Sequence, residues 1–239
     1  MKFQEKSRAS DSDLIEKVWY SSGDTAFQFL SYAEARSEIV IVTSRHGKVS
    51  IFLRGPETAP SMAQVPPGGE CLGVQLRLGA YIPSSLPRDL MDRRDAELPV
   101  IDDINVLIEG HRLEVPSYDN AESFVATLYR LGIIRLDRDV VAILNDEPST
   151  SAIRTMQVRF LRATGLSHSL LTQIQRTREL VDLLRAGRDV NDIVFDLNFY
   201  DQAHLYRNLR RFVGVTARGI TEAKWVGSLL EVRNSTLKG

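Results

Sequence analysis

Apolar positions in the first half of the chain come in short runs bounded by turn formers, a spacing that suits strands rather than helices. Phe27-Gln28-Phe29-Leu30, Glu38 to Thr43, Val49 to Leu53 and Leu72 to Leu78 are each enriched in branched or aromatic residues. His46-Gly47-Lys48 and Arg54-Gly55-Pro56-Glu57 punctuate them. Polar and apolar residues alternate in Gln75-Leu76-Arg77-Leu78, which predicts a sheet with one wet face. The segment from Pro56 to Gly69 holds four prolines and two glycines, so it reads as a loop with one short edge strand around Met62 to Val65. After Pro83, Pro87 and the patch Asp92-Arg93-Arg94-Asp95 comes a further apolar run, Asn105 to Ile108. Short strands with proline-rich connections predict a small barrel or sandwich that ends near Pro116.

At Ser117 the period changes. Phe124, Val125, Leu128, Tyr129 and Leu131 recur at helical spacing behind Asp119-Asn120, and Gly132 can end that helix. A short helix over Asp139 to Leu144 precedes the turn-forming Asn145-Asp146-Glu147-Pro148-Ser149. From Ser151 onward nearly everything reads as helix. Ile153, Met156, Phe160 and Leu161 line one helix, and Thr164-Gly165-Leu166-Ser167 interrupts the period. Ser169 to Arg185 is longer and amphipathic, and a further stripe, Val190, Ile193, Val194 and Leu197, follows a break at Ala186-Gly187-Arg188. The predicted fold class is α+β, with a β-barrel or sandwich first and an all-α region after it.

Composition adds a charge asymmetry. The 239 residues carry a formal charge of −1, but residues 1–150 hold 16 Lys/Arg against 23 Asp/Glu, while residues 151–239 hold 14 against 8. An acidic front half therefore precedes a basic, arginine-rich back half, and arginine's rigid donor fork suits phosphates and base edges. The single Cys71 cannot form an internal disulfide, which fits a reducing compartment. No apolar h-region stands at Met1 to Asp13 and no uncharged apolar run reaches about 18 residues, so a cytoplasmic chain without membrane contact is expected.

The stretch Asp189 to Thr216 carries the functional signal. A short helix ends near Leu197, Asn198 can take a left-handed turn, and Asp201 can cap a second helix. Leu205, Leu209 and Phe212 lie on one face of that helix, while Gln202, Tyr206, Arg207, Asn208, Arg210 and Arg211 are assigned to its solvent side. A helix anchored by apolar residues with glutamine and arginine outward can read a DNA major groove. The same pattern also describes an ordinary solvated face.

This stretch resembles the second helix-turn-helix of AraC-type transcriptional regulators at Ile193, Phe199, Asp201, Gln202, His204, Arg207, Arg211, Phe212, Gly214 and Thr216. It departs from that pattern at Val194, Asn198, Ala203, Leu205 and Ala217. Upstream, Arg154-Thr155-Met156-Gln157-Val158-Arg159-Phe160 and Arg162-Ala163-Thr164-Gly165-Leu166 resemble the first recognition helix and its exit, with Val158 where the family has arginine. The resemblance spans about Ser151 to Ile220. It implies double-stranded DNA as partner, contacted by Arg154, Thr155, Arg159 and Arg162 in the first unit and by the outward residues named above in the second. The first unit is expected to be abbreviated, its supporting helix being Asp139 to Leu144 alone, so the second unit should dominate specificity.

The front half resembles the front domain of a regulator subgroup at Arg54-Gly55-Pro56-Glu57-Thr58, Leu76-Arg77-Leu78-Gly79 and Asn120-Ala121-Glu122-Ser123-Phe124. The family implies a cupin-like barrel that binds a small effector or mediates homodimerisation. The expected organisation is a sensing domain over 1–116, a helical linker over 117–138 and a DNA-binding domain over 139–239. Candidate effector contacts are Phe27, Phe29, Ile41, Phe52 and Leu76, with Arg77 as an anion partner, although plain core packing would place the same apolar residues.

Enzyme chemistry lacks its motifs. His46 and His111 show no His-x-His or His-Glu spacing, so no metal is expected, and no cofactor motif occurs. Asp201 and His204 lie three apart in a first helical turn with no nucleophile near, which favours capping. The rival to a DNA-binding regulator is a ligand-binding or protein-interaction module whose helices no longer read DNA.

Overall fold

The structure is a computed structural model and describes residues 4–92, 94–102, 104–147, 152–226 and 229–231. Its first half is antiparallel strands: β1 (Gln4–Ala9), β2 (Ile15–Gly23), β3 (Phe27–Ser31), β4 (Glu38–Thr43), β5 (Val49–Arg54), β6 (Ser61–Val65), β7 (Gly69–Leu76), β8 (Ala80–Tyr81), β9 (Ala96–Leu98), β10 (Val100–Asp102), β11 (Asn105–Ile108) and β12 (His111–Glu114). Helices follow: α1 (Ala121–Arg130), then a short β13 (Arg135–Leu136), α2 (Arg138–Leu144), α3 (Ile153–Thr164), α4 (His168–Arg185), α5 (Val190–Asp196), α6 (Gln202–Phe212) and α7 (Ala217–Thr221). A last hairpin, β14 (Trp225–Val226) and β15 (Leu229–Glu231), returns to the β half, where Leu230 pairs with Leu30. That return departs from the all-helical reading of the back half.

The large sheet runs β1-β2-β7-β4-β5-β9, and a four-stranded sheet runs β14-β15-β3-β6. Side chains alternate across a strand, so the large sheet has two distinct faces. One carries Ile15, Val18, Ile39, Ile41, Ile51, Leu53, Leu72, Val74 and Leu76, packed with Val106 and Ile108 of β11 and with Phe124, Val125 and Leu128 of α1. The predicted linker helix is thus a cover for the sheet. Burying each such α1 side chain is worth about 1.5–3 kcal/mol, which fixes α1 without any side-chain cap at Asn120. The edge strand β1 is polar, and Arg8 ties it to Glu122 of α1 with Nη2 to Oε2 at 2.8 Å. Residues of this kind blunt an exposed edge, which is why the pattern at Gln4–Ala9 did not announce a strand.

The helices pack on each other and on the strands. Leu180, Val181 and Leu184 of α4 meet Ile193, Leu205, Leu209 and Ile220, and Tyr32 joins them from the β half. Ala33, Ala35 and Tyr81 share another cluster with Val140 of α2, Phe160 and Ala163 of α3, Leu171 and Ile174 of α4 and Phe212 of α6. Gly165 ends α3 at φ 75°, and a Cβ there would lie 2.8 Å from Arg88 N, so both the left-handed turn and the contact with the β half require glycine. No helix among the described residues is long and apolar enough to cross a membrane.

Candidate functional site

The back half presents α6 as its most differentiated helix. Asn198 takes the left-handed turn at φ 53°, and Phe199, 5% exposed, anchors it under the Arg176 guanidinium 4.5 Å from its ring. Asp201 then caps α6, its carboxylate accepting from His204 N at 2.6 Å, while His204 Nδ1 accepts from Tyr200 N at 3.3 Å. The aspartate and histidine therefore shape a helix start, as their spacing suggests.

Leu205, Leu209 and Phe212 are fully buried, and Gln202, Tyr206, Arg207, Arg210 and Arg211 are exposed. Asn208 corrects the expectation: it is 6% exposed and its Nδ2 donates to His204 O at 2.9 Å. Its position, three after Leu205 and four before Phe212, lies within the apolar stripe, and spacing overrides residue type. Gln202 is oriented from below, with Nε2 donating to Asn191 Oδ1 at 2.7 Å, and Asn191 N in turn donates to the Asp189 cap at 2.8 Å. The acceptor oxygen and second amide hydrogen of Gln202 remain available for a bidentate partner. Arg207 and Arg210 make no hydrogen bond or ion pair among the described residues, whereas Arg211 lies 4.6 Å from the Phe212 ring centre and reaches Gln173 Oε1 at 3.4 Å. The neighbouring α5 exposes Asp189, Asp192 and Asp196, the last paired with Arg188 at 2.7 Å, so among the described residues the unpaired arginines of this unit lie along α6.

The first unit is less free. Arg154 and Thr155 are exposed at the start of α3, and Arg162 is exposed with its guanidinium 5.8 Å from the Tyr81 ring centre. Arg159, expected to meet DNA, is held by α2: Nη2 donates to Asp137 Oδ1 at 2.7 Å, and Nη1 pairs with Asp139. Hydrogen bonding to Asp137 raises its pKa further. Two large apolar side chains, Ile153 at 79% and Val158 at 62%, stand exposed on the outer surface of α3. The turn residues 148–151 before α3 lie outside the described residues.

The second candidate is a cavity of about 200 Å³ in the β half. It meets the face of the large sheet that turns Lys17, Trp19, Glu38, Val40, Val42, Arg54 and Cys71 away from the main core, and it meets Phe29, Ser31, Ala63 and Val65 of β3 and β6. Tyr32, Glu34, Glu57 and Arg178 of α4 also line it. Of the predicted effector contacts, Phe29 alone is in the lining. Ile41 and Leu76 point to the opposite face of the sheet, a one-residue difference in register that reverses every side chain. Phe27 packs with Val65 and Cys71, Phe52 is half-buried outside the cavity, and Arg77 is spent on the backbone, donating to Ile15 O at 3.0 Å and Ser10 O at 3.1 Å. Arg77 is therefore not an anion partner in this cavity.

Paired charges dominate one part of the lining. Arg36 Nη1 meets Glu34 Oε1 at 3.3 Å, Arg178 Nη2 meets Glu34 Oε2 at 3.3 Å, and Arg54 Nη2 meets Asp95 at 3.1 Å. Burial by itself would raise the Glu34 carboxyl, but Arg178 and Arg36 outweigh it and hold the group below the usual range. Glu38 goes the other way: burial pushes its carboxyl up, with Arg54 and the Trp19 N–H only partly opposing. Trp19 Nε1 donates to Glu38 Oε1 at 2.6 Å. Gly73 makes room for that indole, since a Cβ there would stand 2.0 Å from Trp19 Cε2. Sequence reasoning missed Trp19, Glu38 and Arg178 because they are polar or sit in unrecognised elements; the alternation Glu38, Val40, Val42 was the available signal. No group of three or more His, Cys, Asp or Glu among the described residues could hold a metal ion.

No family model and no curated protein matches this chain. Two solved structures of ToxT from Vibrio cholerae align over 92% of this chain and 98% of theirs, one at 10% identity with a TM-score of 0.38 and the other, bound to (E)-4-(8-methylnaphthalen-1-yl)but-3-enoic acid, at 11% and 0.34.

Proposed function

We propose that this chain is a sequence-specific DNA-binding regulator of transcription of the AraC type rather than an enzyme, with a cupin-like front half that senses a small effector. The observation that carries the reading is α6: Leu205, Leu209 and Phe212 lock it to its scaffold, while Gln202, Arg207 and Arg210 stand exposed and Gln202 is already oriented by Asn191. In this reading α5 and α6 form the dominant helix-turn-helix, and α2 and α3 form an abbreviated first one. Gln202 reads a base edge, and Arg207, Arg210 and Arg211 supply phosphate attraction. Arg154, Thr155 and Arg162 offer the first unit's contacts; Arg159 contributes only if Asp137 and Asp139 release it.

Coupling in this reading runs through Arg178, which belongs to the helix between the two units and lines the β-half cavity. An effector that favours one arrangement of the Arg178–Glu34 contact would bias the placement of α4, and with it both units. Homodimerisation through the front half is part of the same proposal.

The test is binding to genomic DNA fragments across a salt series. Selected fragments should bind with an affinity that falls steeply as salt rises, by counterion release. Absence of binding at low salt, with and without candidate effectors, would overturn the proposal. It would favour a ligand-binding or protein-interaction module instead, a reading to which the sequestered Arg159 and exposed Ile153 and Val158 already lend weight for the first unit.

A further inference from the structure

We propose that the β-half cavity takes a small organic cation, an amine or guanidine with a short apolar body, held by the Glu38 carboxylate beside the Trp19 ring. This deepens the effector part of the proposed function, but it stands on the cavity alone and holds whether or not the helices bind DNA.

The charge pairing around Glu38 favours a cation there. Each lining arginine already has a carboxylate: Arg36 and Arg178 share Glu34, and Arg54 has Asp95, while the remaining lining cation, Lys17, makes no ion pair within 4.0 Å among the described residues and acts at longer range on both Glu34 and Glu38. An anion would have to take an arginine from its partner and leave that carboxylate in a poorly solvated place, which is costly. Glu38 is the converse case. Its hydrogen bond comes from the neutral Trp19 indole, and no cation lies within 4.0 Å of it among the described residues, Arg54 and Lys17 being further away. An incoming ammonium supplies the missing counter-charge without breaking an existing pair.

The surrounding surfaces fit the same ligand. Trp19, Phe29 and Tyr32 all line the cavity, and a cation near an aromatic face gains about 0.5–2 kcal/mol. Gly73 occupies the space beside the indole on the sheet side, so the ring is held as a wall. Val40, Val42 and Val65 offer contact to an apolar body. The space of about 200 Å³ is below the roughly 300–1,000 Å³ of drug-sized sites, which favours a compact ligand such as a one-ring amine.

The test compares three probes of nearly equal shape, benzylamine, benzyl alcohol and benzoate, on the full-length chain. Because the chain has two tryptophans, the titration is read as intrinsic fluorescence in a Trp225→Phe background, so that the signal reports Trp19. Thermal shift on the unaltered chain provides a second readout. The expected result is saturable binding of benzylamine, at least about tenfold tighter than benzyl alcohol, with no saturable response to benzoate. Glu38→Gln should bring benzylamine down to the alcohol's level. Equal or tighter binding of benzoate, equal binding of the alcohol, or no saturation by benzylamine overturns the proposal. If Glu38→Gln fails to fold, the comparison of the three probes on the native residue decides alone. No DNA is present, so failure here leaves the DNA-binding proposal standing, and failure of DNA binding leaves this result untouched.

Discussion

Arg178 Nη2 lies 3.3 Å from Glu34 Oε2, and its Nη1 donates to Ala33 O at 2.9 Å, so one guanidinium from α4 grips two consecutive residues of the β half. The Tyr32 ring lies 4.6 Å from the same guanidinium. Three successive residues of one connecting segment thus hold the helix that separates the two proposed DNA-binding units. A planar fork can make these contacts together, and a lysine cannot.

Arg178→Ala is expected to destabilise the protein by about 2 kcal/mol, because it leaves Ala33 O unsatisfied and halves the compensation of Glu34. Arg178→Lys should recover less than half of that loss. Urea unfolding of the three proteins measures it; an alanine variant as stable as the parent would show that the contact is incidental.

Gln202→Ala and Arg210→Ala should differ in kind. The first is expected to cost about 1–3 kcal/mol at the preferred DNA site and relax preference at one base pair, while the second weakens matched and scrambled sites alike and lowers the salt slope by about 1. Quantitative binding to both sites at several salt concentrations separates them. Indistinguishable effects would refute the assigned roles.

Stability should fall in acid through Glu122. The Arg8 hydrogen bond, against burial, lowers this carboxyl from 4.5 to about 2. A depressed folded-state pKa means the contribution is complete above about pH 4.5 and is lost as pH falls toward 2. Both side chains are 33% exposed, so solvent screening limits the effect to on the order of 1 kcal/mol. Urea midpoints between pH 6 and 2.5, compared with those of Glu122→Gln, should show a shallower acid decline in the variant.

Gly73→Ala should displace the Trp19 indole, because the added Cβ would sit 2.0 Å from it. Overpacking of this kind costs about 1–3 kcal/mol, and loss of the Glu38 hydrogen bond should accompany it. Trp19 emission in a Trp225→Phe background reports the displacement; unchanged emission with unchanged stability would mean the strand yields at no cost.

Much of the architecture is legible in the sequence where burial follows period. Asn105–Ile108 and Glu38–Thr43 form as strands over the expected bounds, and Asn198 and Asp201 make the turn and cap that their chemistry suggests. β1 escapes the pattern because an edge strand of QEKSRA holds its place through Arg8 and backbone pairing rather than apolar alternation. Both faces of β4 are covered, so alternation alone cannot say which face meets a cavity, and Ile41, expected at the effector site, faces the main core instead. Asn208 shows the opposite failure, a polar residue placed outside by type and drawn inside by helical geometry. The Arg159 ion pairs with Asp137 and Asp139 join residues about twenty apart through packing of α2 on α3, which no local pattern reveals.

The pairing of β15 with β3 sets an order of assembly. An N-terminal fragment that stops before Trp225 would leave the β3 edge bare, a template for aggregation. The four-stranded sheet of the β half is therefore complete only once residues 225–231 have been made. The two ends of the chain thus meet in one sheet, and truncating the hairpin should expose β3 even where the helices are intact.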